Sequence, residues 1–167
     1  MSLMEHSDVL MAIAQVAATF IGFAGVVFAV GRASKEGVSG PESTAVVHLL
    51  LPSIAVLFLA FAPVVASAGS IMSQPRIWRV SNGLLGLVHL LLIANAMRAA
   101  MRARLLEPLP LRFVLMPGGV LAIAANVAVV FGFVQELAAL TFLAGLVWFL
   151  LVSATQFVML IFLARAS

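Results

Sequence analysis

Residues 9–31 read VLMAIAQVAATFIGFAGVVFAVG, with Gln15 and Thr19 as the polar side chains and no charge at all. A helix rises about 1.5 Å per residue, so roughly 20 such residues cross a hydrocarbon core of about 30 Å. The run lacks the apolar/polar alternation of a barrel strand and therefore reads as a transmembrane helix. Working outward, four more stretches have the same character: Thr44–Met72, Val80–Met97, Phe113–Val134 and Leu137–Ala164. The third is the shortest and reads as continuing through Arg98 and Arg102. The expected fold is all-α, a polytopic membrane helical bundle. Residues 1–167 form a single membrane domain with five transmembrane helices over about 9–31, 44–72, 80–102, 113–134 and 137–164.

Composition agrees. The 167 residues are 64% hydrophobic and 9% charged, against roughly 45–50% and about 25% in soluble domains. Nine basic and six acidic residues cannot coat a soluble fold of this size. There is no cysteine, which excludes disulfides and thiolate metal sites. The connections are short: Arg32–Ser43 holds Gly37, Gly40 and Pro41, and Arg98–Arg112 is basic and broken by Pro108 and Pro110. Ser73–Arg79 reads as a loop with Trp78 as an interfacial anchor, and Gln135–Glu136 as a two-residue hairpin link. Pro52 and Pro63 make kinks expected in the second helix.

Basic residues orient the chain. Placing the N-terminus outside leaves Arg32, Lys35, Arg98, Arg102, Arg104, Arg112 and Arg165 inside, against Arg76 and Arg79 outside. The expected topology is N-out, C-in. Arg98, Arg102, Arg104 and Arg112 are the dense cluster, suited to anionic lipid headgroups at the cytoplasmic face rather than to nucleic acid. Arginine outnumbers lysine eight to one, which points to a bacterial inner membrane.

The first helix carries the strongest pattern. A seven-residue period aligns Asp8, Gln15, Gly22 and Ala29, and Met11, Ala18, Gly25 and Arg32 fall three positions on. All eight share one side of a helix. Two readings stand: small residues that let helices pack closely, or a stripe facing water around an axis. Ile13, Val16, Phe20, Phe23 and Val27 lie on the other side and suit lipid or bulky neighbours. In the third helix Asn82, Gly86, His89, Ile93 and Ala96 share a face. An ionisable His89 at membrane depth is either a functional group or a neutral residue bonded to a neighbouring helix. Asn95, Asn126, Thr141, Thr155 and Gln156 add intramembrane polarity. Met116-Pro117-Gly118-Gly119 could leave an unwound segment or an entry turn. Glu136, at the hairpin tip, reads as a solvated turn residue or as a member of an outer acidic ring with Glu5 and Asp8 in an oligomer.

Catalysis is hard to place. No nucleophile elbow, phosphate-binding loop or zinc-protease signature occurs, and Asp8 is the sole aspartate. The chain reads as a non-enzyme with no cofactor and no metal. Glu5, His6 and Asp8 lie close together in the chain but have no established ligand spacing.

The stretch Ile13-Ala14-Gln15-Val16-Ala17-Ala18-Thr19-Phe20-Ile21-Gly22-Phe23 resembles the first helix of small bacterial polytopic inner-membrane proteins. The following basic loop and the Trp78-Arg79 pair look similar too, and the resemblance covers about half of the chain. It implies a bacterial membrane protein without assigning an activity. Gly22-Phe23-Ala24 is also similar to the first helix of Orai-type calcium release-activated channels. That resemblance implies a pore lined by helix one with an acid at its outer mouth, although the family has four helices rather than five. The expected function is a homo-oligomeric channel or small pore with helix one at the axis. The alternative is a non-conducting accessory or scaffold subunit of a larger membrane assembly.

Overall fold

The computed structural model describes residues 4–33, 40–69, 72–102 and 109–166. Five helices follow in order: α1 Met4–Ala33, α2 Gly40–Ala68, α3 Gln74–Arg102, α4 Leu109–Val130 and α5 Ala138–Ala166, with a 3-10 turn at Gln135–Leu137 before α5. The described residues contain no strand. Stretches of α1, α2, α3 and the 3-10 turn with α5 are each long and apolar enough to cross a membrane; the described apolar part of α4, Met116–Val130, is shorter.

α5 is the hub of the bundle. It meets each of the other four helices, while α1 packs mainly on α2 and α3 mainly on α4. A helix surrounded by neighbours must be apolar all round, and Ala138–Ala166 has no charge before Arg165. Phe142, Leu146 and Phe149 of α5 centre the main core. Leu10, Ile13, Ala14 and Ala17 of α1, Val56 and Ala60 of α2, Leu85 of α3 and Val129 of α4 pack around them. A second cluster, Ala24, Val46, Leu49 and Leu160, fills the opposite end. The outer surface is apolar as well, with Phe58, Leu121, Leu140 and Phe162 all exposed. Large exposed apolar side chains on every helix surface match a lipid surround.

Helix ends differ from the sequence expectation for identifiable reasons. α3 starts at Gln74, so Ser73–Arg79 is not a loop. Ser73 caps it: its carbonyl accepts the amide protons of Arg76 at 2.9 Å and Ile77 at 3.1 Å, and Pro75 occupies the first turn, where a missing N–H costs nothing. Trp78 is consequently buried in the helix, edge-on to His6 with centroids 5.6 Å apart and tilted against Phe142 at 5.8 Å, rather than anchoring at the interface. α4 stops at Val130, not 134, because Gly132 takes a left-handed φ of 87°. The amide of Phe133 then bonds to Ala128 O at 2.9 Å and that of Gly132 to Val129 O at 3.0 Å, the paired bonds of a Schellman cap. The link to α5 is therefore a full capped turn, further tied by Gln135 Nε2 donating to Val129 O at 2.6 Å, and not two residues.

Pro52 and Pro63 lie inside a continuous α2. Next to Pro52, the Ser53 hydroxyl donates to Leu49 O at 2.8 Å, and its oxygen lies 3.0 Å from Ser153 Oγ of α5, placed to accept that residue's hydroxyl proton. Hydroxyls of this kind stitch proline-containing helices to their neighbours in lipid. Pro117 likewise sits within α4 and no unwound segment follows it. Gly118 and Gly119 instead make room for side chains. A Cβ on Gly118 would fall inside the indole of Trp148, and one on Gly119 would meet Ile93 Cδ1 at 2.7 Å.

Candidate functional site

Two polar features remain once the core is accounted for. The first is the α1 stripe. α1 turns Leu10, Ile13, Ala14, Ala17 and Ala24 into the bundle, a face of i, i+3 and i+4 steps. The opposite side carries Asp8, Met11, Gln15, Ala18, Gly22 and Gly25, all exposed. No neighbouring atom comes within 4 Å of the place where a Cβ on Gly22 or Gly25 would stand. Small-residue packing inside the subunit therefore uses the alanine face and leaves the glycine face open. Arg32 lies in the last turn of α1, with its side chain outside the described residues. The aromatic residues expected to face lipid or bulky neighbours divide: Phe23 is exposed on one side yet meets Phe157 edge-on at 4.5 Å, and Phe20 packs 6.2 Å from the same ring. Ile13 is in the core, a partner of α2 and α5 rather than of lipid.

The second feature lies between α3, α4 and α5. Asn82, His89 and Asn126 are buried in the bundle. α3 and α4 run antiparallel in close contact: a Cβ on Gly83 would stand 3.6 Å from Val130 Cγ2, and one on Gly86 would stand 3.3 Å from Asn126 Cβ. Gly86 is thus the notch that admits Asn126. On the α5 side, a Cβ on Gly145 would sit 3.5 Å from His89 Cε1. The His89 ring stacks on Phe149 with centroids 3.9 Å apart and planes 15° from parallel. Asn82 Nδ2 donates to Trp78 O at 2.8 Å and across to Ala138 O of α5 at 2.9 Å. Asn126 Nδ2 donates to Ala122 O at 2.6 Å, and His89 Nδ1 lies 3.1 Å from Leu85 O. Three polar atoms are left with no hydrogen-bond partner among the described residues: Asn82 Oδ1, His89 Nε2 and Asn126 Oδ1.

Asn95 does not join them; it is exposed on α3. Of the basic cluster, Arg98 is exposed, Arg102 and Arg112 lie at helix ends with side chains outside the described residues, and Arg104 is outside them altogether. Contacts of His6 with Trp78 and of Asn82 with Ala138 bring the start of α1, the start of α3 and the α4–α5 turn to one end of the bundle. Asp8 and Glu136 therefore share that end, both exposed, while the side chain of Glu5 is outside the described residues. His6 is turned inward onto Trp78 and Asp8 outward, and no group of three metal-binding side chains forms among the described residues. Asn82 lies on the face its spacing with His89 marked, whereas the Ser53–Ser153 pair carries little signal in the sequence. Each serine sits in an apolar run, and the two are a hundred positions apart.

Four apolar spans and a lipid-like exterior define a helical membrane protein. Comparison with protein-family models, curated proteins and solved structures returns no match.

Proposed function

We propose that the protein is a non-enzymatic, homo-oligomeric pore of a bacterial inner membrane, with the open face of α1 turned to the symmetry axis. The observation that carries this reading is the exposure of Gln15, Ala18, Gly22 and Gly25 on a helix that already packs through another face. A side-chain amide in mid-span facing hydrocarbon has no partner for its hydrogen-bonding groups. Copies of α1 around an axis would give Gln15 water or another amide, and the two glycines would let the backbones approach. Five helices with a filled core cannot enclose a path by themselves, so conduction requires several subunits. With the N-terminus outside, Asp8 sits at the outer mouth, with Glu136 on the same side, and Arg32 marks the inner edge. Anionic headgroups are the partners of Arg98, Arg102, Arg104 and Arg112.

The smallness of the stripe supports a second reading, in which the same face is dry against a different protein and the chain is a non-conducting accessory subunit. The chain has no cysteine, so single-cysteine variants report cleanly. Gly22→Cys is expected to cross-link copy to copy in native membranes, whereas Phe58→Cys on the lipid-facing side of α2 stays monomeric. Liposomes holding the purified protein should pass ions, and Gly22→Leu should block them. Cross-linking of Gly22→Cys to a different protein, without flux, favours the accessory role. Absence of both refutes the oligomer.

A further inference from the structure

The three buried orphan atoms are all of one kind. A carbonyl oxygen only accepts, so the contact of His89 Nδ1 with Leu85 O fixes the proton on Nδ1 and leaves Nε2 a bare lone pair. The carbonyls of Trp78, Ala138 and Ala122 fix the amides of Asn82 and Asn126 in the same way, since a flipped amide would set oxygen against oxygen. Asn82 Oδ1, His89 Nε2 and Asn126 Oδ1 are therefore three acceptors that lack a donor. Buried acceptors of this kind occur where a small molecule supplies the missing hydrogens.

Their placement is specific. Gly86 is the middle residue of the apolar stretch Gln74–Arg98, and Asn126 enters α3 at that point. Asn82 and His89 lie on either side of it along the same face, about 10 Å apart by helical rise. The three acceptors thus lie in the seam at the middle of the span, between α3 and α4 with α5 alongside through Gly145 and Phe149. The close approaches at Gly86 and Gly145 restrict an occupant to a few atoms. Its charge follows from the surroundings: the acidic residues of the chain, Glu5, Asp8, Glu36, Glu42, Glu107 and Glu136, all lie at or beyond helix ends. An unpaired cation at this depth is expensive.

We infer that the seam between α3, α4 and α5 binds small neutral hydrogen-bond donors, water or ammonia, in a short file from Asn82 past Asn126 to His89. A water donates two hydrogens and ammonia three, so two waters, or by count a single ammonia, carry enough for the three acceptors. Each subunit then holds a resting place for small polar solutes at mid-depth, separate from any route between subunits.

The test uses the full chain, uniformly labelled with 15N, in phospholipid bilayers. Solid-state NMR is expected to show His89 protonated at Nδ1, with Nε2 unprotonated and hydrogen-bonded; His89→Gln identifies the signal. Magnetisation from water should reach His89 and the Asn82 and Asn126 amides several-fold sooner than the backbones of Leu146 and Val129 in the same layer. Asn126→Leu should slow the transfer to His89, and the wild-type comparison decides the matter even where that variant fails to fold. Adding ammonium chloride at alkaline pH separates the two donors: a shifted Nε2 resonance identifies ammonia, and an unmoved one identifies water. An Nε2–H tautomer, or transfer to His89 no faster than to Leu146, overturns the inference. Neither outcome depends on whether the oligomer conducts.

Discussion

Gly118 offers a sharp test of the α4–α5 packing because its substitution should change sign with its neighbour. A Cβ there would overlap the outer ring of the Trp148 indole, a rigid group with no flexible end to swing aside. Restoring ordinary contact at about 3.5–4 Å requires the ring to move by more than 1 Å, roughly, and to give up its seat on the α4 backbone. Overpacking of this kind costs about 1–3 kcal/mol, and a rigid ring displaced this far belongs to the upper part of that range, about 2–3 kcal/mol. Alanine in place of glycine in a helix recovers about 1 kcal/mol. Gly118→Ala should therefore destabilise the bundle by about 1–2 kcal/mol. In a Trp148→Leu background the overlapping ring atoms are gone, so the same change should stabilise by about 1 kcal/mol, a coupling of about 2–3 kcal/mol. Gly119→Ala is the internal control: the one atom its Cβ crowds is the terminal methyl of Ile93, which can rotate away, while Ile93 Cγ1 at 3.5 Å and Trp148 Nε1 at 4.0 Å are ordinary contacts, and the effect should stay within about 0.5 kcal/mol. Reversible unfolding of the detergent-solubilised protein with SDS, followed by circular dichroism, measures all four variants. Equal effects of Gly118→Ala in both backgrounds would refute the seat.

Two further changes test the caps and polar contacts. Gly132→Ala places a Cβ at a φ of 87° and should cost about 1–2 kcal/mol in the same assay, with Gly132→Asn losing less, because asparagine tolerates that region. Ser53→Ala and Ser153→Ala should each cost about 0.5–1 kcal/mol, and the double variant less than their sum, because both remove the same α2–α5 contact between the two hydroxyls at 3.0 Å. Strict additivity would show that the pair does not form.

The apolar runs marked all five helices in the sequence, but not where they end. Hydropathy reports the slab of lipid, whereas a helix ends where its terminal amides and carbonyls find partners. That is why α3 begins at Gln74 under Ser73, inside a stretch that reads as polar, and why α4 ends at Gly132, inside one that reads as apolar. Trp78 shows the same limit: a tryptophan flanked by arginines looks interfacial until His6 and Phe142 are known to enclose it. His89 was legible because an ionisable group in mid-run stands out by itself. Asn82 was legible as a residue on the same face, though not its bond to Ala138 O, and the two serines were not, since their partners are a backbone carbonyl and a residue far along the chain. On α1 the periodicity marked a small polar stripe but could not say which face the bundle takes. Alanines with Leu10 and Ile13 fill a core without leaving polar groups to satisfy, so that face turns inward and Gln15 is left outside.

That outcome makes Gln15 the residue on which the oligomer rests. Nothing in the subunit requires an amide there: the inner face of α1 is complete through Leu10, Ala14 and Ala17, and its neighbour Thr19 returns its hydroxyl to Gln15 O at 2.9 Å. An amide moved from water to hydrocarbon without partners costs about 4–8 kcal/mol, and leucine at the same place costs nothing. Were Gln15 to face lipid in the working protein, Gln15→Leu would stabilise the monomer and leave its function unchanged. With the stripe at an axis, the substitution should keep the monomer folded, weaken association of copies by about 1–2 kcal/mol per interface and reduce flux. The two arrangements therefore differ in the sign of one measurement: monomer–oligomer equilibria in micelles, read by subunit-exchange fluorescence as the protein is diluted in detergent. Unchanged or tighter association of Gln15→Leu places the stripe in lipid and removes the basis for an axial role of α1.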